Sequence, residues 1–264
     1  MQSDMMKSIQ MPKRLLLSFA LVHFVLSGQV RFAKNPEAVE ITIDGQPFST
    51  FFYKSVETKP YFHPLRSASG KILTRSFPMA EVAGEARDHE HHRGLWFSHG
   101  DVNGWDFWAN EPKQKGVGKG RGVIAFRKLI EAKDGKSGRL RAEFVWKDGE
   151  GKELLAEDKA VVISGNKETR TLDFDITLTA LTAVTFGDTK EGTFAIRLAR
   201  SLEEKGQTGT MQNAQGATKE KNVWGKRSPW VDYSGQVEGE SLGVAIFDHP
   251  SNPRHPIYWH SRAY

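Results

Sequence analysis

The chain has 264 residues and no cysteine, which excludes a disulfide scaffold, a thiolate metal site and a cysteine nucleophile. Hydrophobic residues make up 38% and charged residues 26%, a globular composition that argues against a disordered or polytopic membrane protein. A formal net charge of +5, part of it at the N-terminus, is too modest to call for a nucleic-acid partner.

Lys13 and Arg14 lead into an apolar run from Leu15 to Leu26, interrupted only by Ser18 and His23 and followed by Ser27-Gly28. A basic lead, a short apolar stretch and small residues describe an export signal over residues 1–28. The plain alternative is a buried N-terminal helix, which shares that composition. The run falls short of the roughly 20 apolar residues that a spanning helix needs. The expectation is a periplasmic or extracellular protein with no stable membrane insertion, and one β-sandwich domain over residues 29–264.

Period-two alternation dominates the rest of the chain. Leu172, Phe174, Ile176 and Leu178 alternate with polar residues over 171–179, as do Leu140, Ala142, Phe144 and Trp146 over 139–147. Such segments are half-buried antiparallel strands. Further strands are expected at 38–43, 47–54, 71–77, 122–131, 159–164, 193–199 and 242–248. Asp44-Gly45, Asp134-Gly135, Asp148-Gly149, Ser164-Gly165 and Ser234-Gly235 supply turns between them. The fold class is therefore all-β, a large and mostly antiparallel sandwich. Residues 203–229 are polar and read as a long loop over a site.

The chemistry concentrates at Asp88-His89-Glu90-His91-His92, three histidines and two carboxylates in five positions. A lone histidine is usually structural. A cluster this dense needs partners when buried, and imidazole suits both proton transfer and metal binding. In an extended segment His89 and His91 share one face, and Asp88, Glu90 and His92 the other. His89 and His91 with His99 would then chelate a divalent transition metal. The metal-free alternative needs no cofactor: His92, oriented by Asp88 or Glu90, acts as acid or base, and His91 is structural. Trp96 and Phe107 read as core. Trp105 and Trp108, beside Asn103-Gly104, read as walls of a pocket for a sugar-sized ligand. The glycine-rich run 116–122 lacks a phosphate-loop ending and reads as a mobile basic loop. Ser98-His99-Gly100-Asp101 is no triad, because triad members are not sequence neighbours.

A family resemblance rests on longer strings. They are Tyr61-Phe62-His63-Pro64-Leu65-Arg66, Thr74-Arg75-Ser76-Phe77-Pro78-Met79, Asp88 to Trp96, Gly100 to Trp108, Phe186 to Gly192, Arg197, Trp224-Gly225-Lys226-Arg227 and Asp248 to Pro256. With them the chain, over roughly residues 38–264, resembles a bacterial secreted family. Its members carry the name methane oxygenase PmoA or are called a domain of unknown function. That name implies a membrane subunit with several spanning helices, and this chain has at most one apolar run of that kind. The name is a label rather than an activity. Members occur in bacteria that degrade polysaccharides, which implies a carbohydrate-related role by association. Relatives continue past the position of Tyr264, so the chain is expected to be truncated and to lack a last strand. At the level of the fold, sugar-mutarotase super-sandwiches are the analogy.

The leading expectation is an exported carbohydrate- or glycoside-active enzyme, a hydrolase, lyase or epimerase. Its acid–base set is His92, His91 and Glu191. Its small-molecule or oligosaccharide ligand is held by His63, Arg66, Arg75, Asn103, Asp106, Trp108, Arg197 and His249. The alternatives are a sugar-binding module without catalysis and an enzyme with metal on His89, His91 and His99.

Overall fold

The computed structural model describes residues 28–54, 58–205 and 207–264, so the expected export signal lies outside the described residues. The first sheet joins β1 (Val30–Lys34), β2 (Ala38–Ile43), β3 (Gln46–Phe52), β4 (Tyr61–Phe62), β5 (Leu95–Phe97) and β12 (Phe194–Ile196) in that order. The second has the order β11 (Arg170–Ala180), β10 (Glu153–Gly165), β9 (Ser137–Lys147) and β8 (Val123–Lys133). The third joins β13 (Thr210–Asn213), β14 (Trp230–Val237) and β15 (Glu240–Phe247). Pairing in all three is antiparallel, while β6 (Trp105–Asp106) and β7 (Gly120–Arg121) form a short parallel pair. The protein is all-β, as its alternation requires.

The first two sheets face each other. Phe51 meets Phe144, Phe62 meets Phe174, and Phe97 meets Trp146, all edge to face with centroids 5.6–6.2 Å apart. Aromatic pairs favour this arrangement, which presents the positive ring edge to the negative face. Successive residues of a strand point to opposite faces. Phe62 and Leu95 therefore enter this core, while Tyr61 and Trp96 point the other way and pack with Trp108 in a separate cluster. The first sheet thus has a core face and an outer face, and loops cover the outer face. The third sheet packs Tyr233, Leu242 and Val244 against Leu73, Leu198 and Leu202.

Several expected elements differ. Segment 71–77 forms no strand and reduces to two isolated bridges, Arg66 with Ile72 and Thr74 with Leu198. Ser234-Gly235 is no turn but the middle of β14. A side chain at Gly235 would meet the Ser201 carbonyl at 2.9 Å, so glycine is there for close packing. The hairpin turn falls instead at Glu238-Gly239, both with positive φ. Loop 203–229 contains β13 and a one-turn helix, α1 (Glu220–Val223). In the basic loop at 113–122, half of it exposed, a side chain at Gly118 would meet the Gly104 carbonyl at 2.5 Å, and one at Gly122 the Phe107 ring at 2.4 Å. Trp105, expected in a pocket wall, packs against the sandwich core.

Strand β10 carries an ion pair into that core. Glu157 and Lys159 lie two residues apart on the buried face, with Nζ–Oε1 at 2.8 Å. Trp146 Nε1 donates to Glu157 Oε2 at 2.7 Å, and the Lys159 ammonium lies over the Phe144 and Phe97 rings. Removing one member leaves the other buried and uncompensated, at a cost of about 3–5 kcal/mol. Lys159→Met is therefore expected to lower urea-unfolding stability by that amount. The double variant Glu157→Gln/Lys159→Met removes both charges, keeps an acceptor for Trp146 Nε1, and is expected to recover most of it. Equal losses in the single and double variants would show that the pair is not the cause.

Candidate functional site

The outer face of the first sheet is covered by the segment from Thr74 to Gly94, and Arg75 fastens it. The guanidinium is 1% exposed. Nε donates to the Phe77 carbonyl at 3.1 Å, Nη1 to Asp88 Oδ1 at 2.6 Å and to the Ala86 carbonyl at 3.3 Å, and Nη2 to the His89 carbonyl at 2.9 Å. Glu85 closes the same loop by accepting from the Ser76 and Phe77 backbone N–H groups. Arg75, expected to bind substrate, is committed to the loop.

The histidine segment is a turn and not an extended strand. His92 N–H donates to the His89 carbonyl at 2.9 Å, and His89 has a left-handed φ of 44°. The two-faced arrangement expected from an extended chain is therefore lost, and all three rings come together. His89 stacks on His92 at 4.8 Å and 14°, and His91 meets His92 edge to face at 4.5 Å. The stack continues inward to Trp96 at 5.1 Å and outward to Tyr264 at 6.4 Å. Four rings thus run from the half-exposed Tyr264 to a Trp96 that is 3% exposed.

Asp88 is the hub of the charges. Besides Arg75, its Oδ1 accepts from Arg197 Nη2 at 3.3 Å, and its Oδ2 meets His89 Nδ1 at 2.7 Å. Burial alone would raise its pKa. The His89 hydrogen bond and the Arg197 and Arg75 charges outweigh that and hold the carboxyl below its ordinary range. The same Arg197 Nη2 lies 3.8 Å from Glu203 Oε1. There burial prevails over Arg197, and the Glu203 carboxyl is pushed up. Tyr264 lies between Arg197 and Arg262, each guanidinium about 5 Å from its ring centre.

Behind the rings lies a second polar network. Gln114 Nε2 donates to His91 Nδ1 at 2.9 Å, while Gln114 Oε1 accepts from the Glu111 N–H. Glu111 takes a two-pronged bond from Arg93 at 2.8 and 2.6 Å. Lys59 is buried beneath, donating to Asn110 Oδ1 and the Trp108 carbonyl, with Glu111 at 4.0 Å. Its burial, partly offset by Glu111, lowers the ammonium to about 7. Burial first, then Lys59, His89 and Arg75, lowers His91 to about 3. His92 is lowered further, by burial and then by His91, His89 and the two arginines.

The other expected residues scatter. His63 is buried beside Thr74 Oγ1 at 3.4 Å, and burial with the Arg66 and Arg93 charges lowers it to about 4. Arg66 donates to the Gly70 carbonyl. Asn103 exchanges hydrogen bonds with the backbone of Ala183 and Thr185. Asp106 is buried and accepts from the backbone N–H groups of Trp108, Ala109 and Val117. Trp108 is 5% exposed and belongs to the Trp96 cluster. His99 Nε2 bonds the Gly187 carbonyl, and His99 joins Phe186 rather than His89 and His91. Among the described residues no group of three or more His, Asp or Glu side chains is arranged to hold a metal ion. Glu191 meets His260 and Lys190, not the histidine trio. His249 bonds Ser251 in an exposed turn. Glu203, Gln114 and Tyr264 complete the site and carry no motif. The sequence offered only the expectation that loop 203–229 lies over a site.

The chain belongs to the family of unknown function DUF6807, whose model matches residues 38–264. No curated protein and no solved structure matches it.

The neutral buried histidines make stability depend on pH. His63 and His91 are depressed from 6.5, so below that pH the unfolded chain binds protons that the folded chain refuses. Stability is full above about pH 6.5 and falls on acidification, by about 1.4 kcal/mol per pH unit for each histidine. Urea unfolding at pH 7 and pH 5 is expected to show this loss, and His63→Gln/His91→Gln to reduce it to the part that His92, lowered in the same direction, contributes. An unchanged slope in that variant would assign the effect to other groups.

Proposed function

We propose that the chain is an exported carbohydrate-active enzyme that works by acid–base chemistry with its own imidazole and carboxyl groups. The observation that carries this reading is the pair of carboxyl groups on Arg197, with Asp88 held low and Glu203 pushed up. A carboxyl held ionised can orient an imidazole base, and a second carboxyl kept protonated beside it can serve as the acid. His89 is the base: its ring is exposed, and Asp88 at Nδ1 orients it and supports its positive charge. Glu203 is the acid. His92 is stacked between His89 and Trp96, and its lowered basicity removes driving force for proton abstraction at neutral pH.

The substrate class rests on the resemblance to a secreted family of polysaccharide-degrading bacteria. The export reading rests on Lys13-Arg14 and the apolar run after them. A sugar-binding module without catalysis is favoured by one observation, the depressed basicity of His91 and His92, which leaves a stack of rings without strong bases.

Turnover of a panel of glycosides and polysaccharide digests separates the two. His89→Gln and Glu203→Gln are each expected to reduce kcat by about 100-fold or more, the scale of a lost acid or base. Wild-type rate is expected to fall as pH rises and Glu203 loses its proton, and Glu203→Gln to abolish that limb. Sugar binding without turnover, unchanged in both variants, would replace the enzyme by the binding module. Protein recovered from the periplasm is expected to begin between about residues 26 and 34. An intact N-terminus on cytoplasmic protein would overturn export.

A further inference from the structure

Three buried N–H donors on the outer face of the first sheet have no acceptor among the described residues: Trp96 Nε1, Trp108 Nε1 and Arg197 Nε. Their residues are 3%, 5% and 5% exposed. The indole rings lie 5.1 Å apart. Ala195 pairs with Trp96 across β12 and β5, and Arg197, two residues on, bonds the Gly94 carbonyl through its backbone N–H. Residues two apart share a face, so the Arg197 side chain lies on the same side as Trp96. His92 Nε2, beside both indoles, is equally unpartnered and is a fourth donor in its Nε2–H tautomer.

Unmet buried donors are costly, and each of these calls for an acceptor. A hydroxyl both donates and accepts, whereas a carboxylate only accepts. The charges point the same way. Arg75 and Arg197 are both buried and share one ion-pair partner, Asp88, while the Glu85 charge acts on Arg75 from further off. Glu203 stands off at 3.8 Å, and burial favours its neutral form. Arg197, whose close carboxylate is shared with Arg75 and whose Nε is unmet, is thus short of an ionised partner of its own.

We propose that the Trp96, Trp108 and Arg197 donors receive the carboxylate of an acidic sugar, so that the substrate class is a uronic-acid glycan. This deepens the carbohydrate reading above and rests on it. Access runs past His89, whose exposed ring covers His92 from a turn with left-handed backbone at its tip. Non-glycine residues held in that conformation cluster at ligand clamps and switch regions.

The test is a titration of the full chain, with 15N-labelled tryptophan, followed by NMR. Trp96→Phe and Trp108→Phe assign the two indole N–H signals. Oligomers of galacturonate and of mannuronate are expected to shift both signals saturably. They are expected to bind about tenfold or more tightly than neutral oligomers of equal length, the weight of a charge-assisted hydrogen bond. Each Trp→Phe change keeps a ring and removes a donor. It is expected to weaken uronate binding about tenfold, and by a larger factor than it weakens binding of neutral oligomers. If either variant fails to fold, the wild-type titration alone decides. Equal binding of acidic and neutral oligomers overturns the carboxylate pocket and spares the carbohydrate enzyme. Acetate binding as tightly as the uronates keeps the pocket and overturns the sugar. No shift with any of these probes overturns the pocket.

Discussion

One buried guanidinium organises the site. Arg75 is surrounded by the carbonyls of Phe77, Ala86 and His89 and by the Asp88 carboxylate, so the loop that carries the histidines is the set of its acceptors. A buried arginine must have its donors met, and the chain folds back on itself to meet them. The planar fork of arginine matters here, because a lysine in its place would offer a single point of charge with no fixed directions. The backbone of Arg75 also bonds the Arg197 carbonyl, which ties the loop to the segment that follows β12. Asp88 is thereby brought between two arginines and one imidazole.

Two polar layers with different tasks lie around that centre. The inner layer is a chain of short bonds through Arg93, Glu111, Gln114 and His91, with Lys59 held beneath it by Asn110 and the Trp108 carbonyl. Its groups satisfy one another, which suits a scaffold. The outer layer, Asp88, His89, Glu203 and Arg197, is partly exposed, and its charges are shared unevenly. Burial raises the Glu203 carboxyl, while the His89 hydrogen bond and the two arginines hold Asp88 low.

The sheets were legible in the sequence where one face is buried and the other wet. β2, β9 and β11 alternate residue by residue, and Asp44-Gly45 marks a hairpin with positive φ at both positions. The reading failed where local chemistry and packing disagree. Ser234-Gly235 has turn composition but sits mid-strand because the Arg200–Leu202 turn presses on it. Segment 71–77 has strand composition, yet the Arg75 side chain recruits it into the loop. At the site, the density of Asp88 to His92 was visible and its geometry was not. A left-handed residue at His89 leaves no periodic mark. Contacts such as Arg197 with Asp88 span 109 positions, and no local pattern encodes them.

The alternation of β4 and β5 places Phe62 and Leu95 in the core and Tyr61 and Trp96 beneath the loops. The same few residues therefore write the hydrophobic interior and the floor of the site in one reading frame. An inserted residue in β5 would exchange the two, sending the indole of Trp96 inward and Leu95 outward. A change of residue at these positions alters the packing locally, whereas a change in their number turns the strand over. Added or lost residues are therefore accommodated in the covering loops rather than in β4 or β5.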